Sequence, residues 1–341
     1  MNVTIKDIAR IINVSHTTVS RALNDSPLIS ESTKKKVIKV AQKYNYRPNV
    51  NARSLVLAKS YNVGLFFTTI KKGTSANFFM DTVRGVNGVI RDKFSLSVEG
   101  LDDFMDFSKI SSRFFDGIIL MSQSTKDDPF IKHVLRNKIP MVLLNRETEV
   151  TKVTTLLADD TIGAYNATKW LIDHGHRRIG IIEGKSGFKT SYRRKEGYLH
   201  ALKEYRIPYD PLLSVKGNYD LEGGYRGMHE LLNKEIRPTA VFCLNDDMAV
   251  GAMKAILESG RKIPEDISLI GFDDGIFASY LTPALTSVSR PIEKLSAEGT
   301  EILLAKINGG KKEIETIYLR TELKIRDSVR DLRKKPINEK T

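Results

Sequence analysis

The chain has 341 residues, 41% of them hydrophobic, enough for a sizeable core and, at roughly 100–200 residues per domain, for two or three domains. Its net charge of +13 is unevenly spread: residues 1–60 hold eleven Lys/Arg against three Asp/Glu, which leaves 43 against 38 for all the rest. No apolar run reaches the about 18 residues of a membrane span. The N-terminus M-N-V-T-I-K-D-I-A-R lacks a signal peptide's apolar stretch, and a single cysteine, Cys243, excludes an intrachain disulfide.

These features imply a cytoplasmic protein with no membrane partner. A compact basic head is the footprint of a polyanion partner, with an ordinary solvated basic surface as the alternative. Cys243 lies in the apolar run Ala240–Leu244 and reads as a buried structural thiol.

In the head, Thr4-Ile5-Lys6-Asp7 reads as a helix start with Thr4 as cap and Asp7 as the acidic partner of a capping box. Ile5, Ile8, Ala9 and Ile12 form one apolar stripe, and Asn13 suits the tight turn that must follow. Ser15 then caps a second helix. Its Val19, Ala22 and Leu23 face a small core and turn His16, Thr17, Ser20 and Arg21 outward. Two short helices joined this way form a helix-turn-helix unit. A third helix is expected from Ser30 or Glu31 to about Tyr44, with Lys34, Lys35, Lys36, Lys39 and Lys43 mostly solvated.

Pro48 ends that helix. The stretch Asn49 to Leu55 could form two helical turns, which are marginal alone. It is expected to order only against a twin copy or DNA, or else to remain a linker.

The motif T4-I-K-D-I-A-x-x-x-x-V-S-x-x-T-V-S-R-x-L-N24, followed by Y46-R-P-N-x-x-A-R-x-L55, resembles the lactose/galactose/purine-repressor family of bacterial transcription regulators. By position the resemblance makes His16, Thr17 and Arg21 readers of the major groove, with Ser15 and Ser20 beside them. Arg21 is the candidate for a bidentate contact to guanine. Leu55 matches a leucine wedged into the minor groove, where an apolar side chain kinks the duplex. Asn49, Asn51, Ala52 and Arg53 belong to the hinge around it. In the turn this chain has Ile12-Asn13 where the family commonly has Ala-Gly.

From Asn62 onward short apolar runs alternate with amphipathic segments. Strands are expected at Val63–Thr68, Leu96–Val98, Gly117–Met121, Met141–Asn145, Ile179–Glu183, Ala240–Leu244 and Leu269–Phe272. Helices are expected at Phe78–Asp92, Pro129–Asn137, Ile162–His174, Tyr192–Tyr205, Leu221–Asn233, Met248–Ser259 and Ile292–Lys306. Continuous apolar strands alternating with helices indicate parallel sheets covered on both faces. The fold class is therefore an α/β core of two doubly wound parallel-sheet subdomains behind an all-α head. Gly309-Gly310 reads as a helix cap and turn, not a phosphate loop. His174 and His176 have poor spacing for a shared metal.

The landmarks N77-F-F, I139-P-M-V-L-L-N-R146, R194-K-E-G-Y198, R237-P-T-A-V-F-C-L-N-D246, D266-I-S-L-I-G-F-D-D274 and L281-T-P-A-L-T-S-V288 also match the family core, which resembles periplasmic sugar-binding proteins. By position, Arg194, Asn245 and Asp273 become effector contacts, and Tyr219 an aromatic that stacks on the ligand. Asn145 stands where the family often has Asp. Plainer roles stay open: helix caps for Asp246 and Asp273, a structural ion pair for Arg194, ordinary packing for Tyr219.

The expected organisation is a helix-turn-helix domain over 1–47, a hinge helix and linker over 48–60, an effector-binding and dimerisation core over 61–327, and a basic tail over 328–341. In the core, an N-subdomain takes about 61–160 plus 290–320, and a C-subdomain about 161–289 plus 321–327. The resemblance implies a repressor that binds a near-palindromic double-stranded operator as a homodimer and responds to a small sugar-like effector. It implies no cofactor and no catalysis. Activation at some promoters, or a sugar-binding protein or enzyme on the same core, are the alternatives. No G-x-S-x-G or H-E-x-x-H motif supports an enzyme, and the tail lacks the leucine heptads that would join two dimers.

Overall fold

The computed structural model describes residues 3–23, 26–44, 46, 60–71, 73–104, 106–150, 153–310 and 313–334. They fall into two compact units, 1–61 and 62–341.

In the first unit, α1 (Ile5–Ile11), α2 (His16–Leu23) and α3 (Glu31–Lys43) enclose Ile8, Ala9, Val19, Ala22, Val37 and Ala41. So small a core needs well-satisfied helix ends. Thr4 and Asp7 form the reciprocal capping box of α1, and the Ser30 hydroxyl accepts the Thr33 N–H at the start of α3. Asn13 turns the chain between α1 and α2 at φ 55°, a conformation asparagine adopts more readily than most residues.

The second unit holds two six-stranded sheets. The first runs β11-β5-β4-β3-β1-β2, from β1 (Asn62–Phe67), β2 (Ser95–Gly100), β3 (Gly117–Met121), β4 (Met141–Leu144), β5 (Thr154–Ala158) and β11 (Thr316–Leu319). The second runs β12-β10-β9-β8-β6-β7, from β6 (Ile179–Glu183), β7 (Ser214–Lys216), β8 (Ala240–Cys243), β9 (Ser268–Asp273), β10 (Thr286–Ser289) and β12 (Glu322–Lys324). Every pairing is parallel except β10 with β12. Both sheets therefore repeat one doubly wound order, with a reversal between β1 and β3 and again between β6 and β8.

The apolar runs are continuous because both sheet faces are covered. Along β1, Val63, Leu65 and Phe67 pack in one cluster with α4 (Ala76–Ile90) and α10 (Ile292–Ile307). Phe66 points the other way, with Ile118 and Leu120, toward α5 (Asp128–Arg136). The second sheet is covered by α6 (Asp160–Asp173), α7 (Lys189–Glu204), α8 (Leu221–Leu232) and α9 (Asp246–Glu258).

The chain crosses between sheets three times: from β5 to α6, from β10 to α10, and from β11 to β12. Cys243 is buried, as its apolar run predicts. Among the described residues no helix is long and apolar enough to cross a membrane.

Candidate functional site

The outward face of α2 is set by its buried one. The Ser15 hydroxyl accepts the Thr18 N–H at 3.0 Å and fixes the helix start. Val19 and Ala22 are buried, while Ser15, His16, Thr17 and Arg21 are exposed and Ser20 is half-buried. At 3.6 residues per turn, positions 16, 17, 20 and 21 span an arc of about 140°, opposite the core. On α3, Lys35, Lys36, Lys39 and Lys43 are exposed.

Lys34 corrects the sequence reading. It is buried and pairs with Glu31 at 2.8 Å, because one turn of helix brings its stem over the small core. The hinge residues Asn49, Asn51, Ala52, Arg53 and Leu55 lie outside the described residues.

In the second unit, all five predicted effector residues line one cavity: Asn145, Arg194, Tyr219, Asn245 and Asp273. It sits where the carboxyl ends of the two sheets face each other, at their reversal points. Asn145 follows β4, Asn245 follows β8, and Asp273 ends β9. Three of the five adopt left-handed backbone: Asn145 at φ 76°, Tyr219 at 63° and Asp273 at 110°. Such conformations cost energy and persist only where surrounding contacts impose them.

Those contacts are present. The Asn245 carbonyl oxygen accepts the Met248 N–H at 2.9 Å and caps α9, and its amide donates to the Tyr219 carbonyl at 3.2 Å. Asn145 donates to the Ser122 carbonyl at 3.0 Å. The helix cap held open as an alternative thus belongs to Asn245.

Two residues unpredicted from sequence, Asp160 and Arg290, complete the site. Asp160 starts α6, and Arg290 follows β10 on the second crossover. Arg194 lies 3.6 Å from Asp160 and 3.2 Å from Asp273, and Arg290 lies 2.9 Å and 3.5 Å from the same two. The four charges alternate in a closed ring, and Asp160, Arg194 and Arg290 are at most 7% exposed.

Burial opposes the Arg194 charge, but Asp160 and Asp273 outweigh it and hold the guanidinium protonated more firmly than usual. Burial raises the Asp273 carboxyl above the ordinary carboxylate range, against the pull of Arg194 and Arg290. The Arg194 guanidinium also lies 3.9 Å from the Phe272 ring centroid. It donates to the Leu244 carbonyl too. The ion pair weighed as a plain role for Arg194 is therefore present, and it sits inside the cavity.

Two landmarks point elsewhere. Asp246 is held behind the cavity by the Ser287 hydroxyl at 2.6 Å and the Gly275 N–H at 2.7 Å. Arg146 donates to Ser122 at 2.6 Å and pairs with Asp128, outside the cavity lining. The His176 ring nitrogens lie 3.0 Å from the Thr239 hydroxyl and 3.1 Å from the Arg330 carbonyl.

The cavity measures about 20 Å³, room for roughly one water molecule. A groove of about 1120 Å³ runs outside it, between the outer face of α7 and residues 146–149, and none of the five predicted residues reaches it. Within the groove Arg146 pairs with Asp128, and Arg193 with Glu147 at 2.6 Å.

Residues 4–49 match the model of bacterial regulatory proteins of the lacI family, and residues 168–329 match that of the periplasmic binding protein-like domain. The chain is 51% identical over 330 residues to the probable HTH-type transcriptional repressor ExuR of Bacillus subtilis (strain 168), covering 97% of this chain and 99% of that one. It is 34% identical to the ribose operon repressor of Haemophilus influenzae, covering 97% and 99%. A solved complex of the transcriptional regulator CelR with cellobiose is 28% identical with a TM-score of 0.73, covering 96% of this chain and 99% of that one. Head, cleft and end-to-end similarity agree: the chain belongs to the lacI family of bacterial regulatory proteins.

Proposed function

We propose that this protein is a ligand-responsive transcription repressor that binds a near-palindromic operator as a homodimer, with a small carbohydrate-like effector held between the two subdomains of its core. The observation that carries the reading is the convergence of Asn145, Arg194, Tyr219, Asn245 and Asp273 on one buried cavity between the sheets. Arginine forks, carboxylates and amides are the groups that pair with hydroxyls in fixed directions, and Tyr219 supplies a ring face. The cellobiose complex of a regulator with this fold supports the ligand class. His16, Thr17 and Arg21 read bases, and Leu55 wedges the operator centre between paired hinges.

Support for a second copy comes from exposed apolar side chains on the C-terminal half: Leu221 on α8, Leu257 on α9, and Ile276 and Tyr280, which are 73% and 83% exposed. Ile276 and Tyr280 stand at the two ends of one short segment and offer apolar surface that a second copy would cover. A symmetric dimer places two α2 helices on two half-sites, so operator symmetry follows from protein symmetry.

The test is selection of duplexes from a random pool by the full chain, with stoichiometry measured on the winners. Two-fold symmetric sites binding two chains are expected. Enrichment of an asymmetric site bound by one chain would reject the dimeric reading, and no enrichment would reject base reading altogether.

A further inference from the structure

The ring of alternating charges lies mostly within one half of the core. Asp160, Arg194 and Asp273 stand on α6, α7 and β9, all packed with the second sheet. Arg290 stands on the crossover from β10 to α10, where the chain leaves the second sheet for the first. Arg290 reaches into the other half: it donates to the Asn145 Oδ1 at 2.6 Å, and its guanidinium lies 5.7 Å from the Phe78 ring of α4.

We propose that Arg290 is the positioning residue that latches the two subdomains, so that drawing Asp273 or Asn145 away from it changes the angle between them. Among the described residues further ties cross the cleft: the Lys189 N–H donates to the Gln123 carbonyl at 2.9 Å, and Arg193 pairs with Glu147 at 2.6 Å and lies 5.9 Å from the Tyr318 ring of β11. Glu147 is exposed, and an ion pair open to water contributes little, while the Lys189–Gln123 tie is a single backbone hydrogen bond. The Arg290–Asn145 contact is buried at both ends, where a lost partner is costly.

The ring is neutral and closes on itself, so parting the halves without engaging Asp273 breaks the buried Asn145 contact and leaves the ring. A cavity of about 20 Å³ admits no sugar, so an effector must separate the halves and compete for these same groups. Arg290, anchored on a crossover, then passes the change directly to the chain that joins them. That this latch governs DNA binding rests on the function proposed above, whereas its hold on the cleft does not.

The experiment measures the cleft in the full chain without ligand or DNA. Spin labels go on Lys126→Cys in the first half and Lys203→Cys in the second, both exposed. Native Cys243 is fully buried and stays unlabelled. With the labelled chain diluted in excess unlabelled chain, so that a dimer carries at most one labelled copy, double electron–electron resonance should give one narrow distance in the parent. Arg290→Gln and Asn145→Ala should each broaden it and lengthen it by more than about 2 Å. Arg290→Lys, a single point charge unable to hold ring and amide together, should do the same, while Arg193→Ala should change it less. Unchanged distances in both Arg290→Gln and Asn145→Ala would overturn the latch. If Arg290→Gln fails to fold, Asn145→Ala decides alone, because it leaves the ring charges intact. A cleft that opens with no change in operator affinity would support the latch and reject its link to DNA.

Discussion

On α2, four side chains point outward and only Arg21 carries a charge there. An arginine fork that meets the O6 and N7 of a guanine contributes about 1–3 kcal/mol of discrimination at that base. Lysines on α3 act differently, since a point charge near phosphate holds any sequence equally. Arg21→Ala is therefore expected to lower preference for one operator base by roughly 5–150-fold. Lys36→Ala should weaken operator and random duplex alike and flatten the salt dependence. Binding titrations on the operator and its single-base variants separate the two. If Arg21→Ala ranks the bases as the parent does, the base reader is another residue.

Among the helices, packing distance decides what each position tolerates. In α4, a Cβ on Gly85 would lie 2.2 Å from the Glu293 carbonyl of α10, whereas one on Gly88 would meet nothing within 4 Å. Gly85→Ala must push the two helices apart and is expected to cost about 1–3 kcal/mol. Gly88→Ala, exposed in a helix interior, should gain about 0.5–1 kcal/mol. Urea unfolding midpoints read both, and equal shifts in one direction would mean that α4 and α10 do not approach so closely.

Such backbone approaches were not legible from sequence, because a glycine in a helix carries no mark of what lies opposite. The strands were legible where both faces are covered, as in Ile118–Leu120 and Val241–Phe242, whose apolar runs are unbroken. The short strands β7, β10 and β12 were not, since S-V-K, T-S-V-S and E-L-K carry too little apolar signal, and β5 (T-T-L-L-A) and β11 (T-I-Y-L) are too short to stand out. That gap hid Asp160 and Arg290, which follow β5 and β10 directly. By contrast, Asn145, Asn245 and Asp273 follow strong apolar strands, where a polar residue is easily seen.

Across the whole molecule, distant segments meet at His176, which is 1% exposed beside β6. Its ring spans the Thr239 hydroxyl and the Arg330 carbonyl, and the Leu332 N–H donates to the His174 carbonyl at 2.9 Å, so the tail closes over it. Burial lowers its pKa from 6.5 to about 4, against the pull of the Arg330 carbonyl. The folded protein thus keeps His176 neutral where the unfolded chain takes up a proton. The stabilisation is complete above pH about 6.5 and is lost as pH falls toward 4, by roughly 3 kcal/mol at most. Asp247 acts in the opposite sense: burial first, then Asp273 and Asp220, raise its carboxyl to about 6. Its penalty is absent below the unfolded value near 4 and grows as pH rises through 6, so the two groups partly cancel between pH 4 and 6.5. Replacing either one should expose the other. Asp247→Asn is expected to raise the unfolding midpoint at pH 7.5 but leave it nearly unchanged at pH 4, which steepens the acid side of the stability profile. His176→Asn should lower stability at pH 7.5 and flatten that side. Parallel denaturant titrations across pH test the pair, and profiles that keep the parent's shape in both variants would show that neither group titrates as its surroundings require.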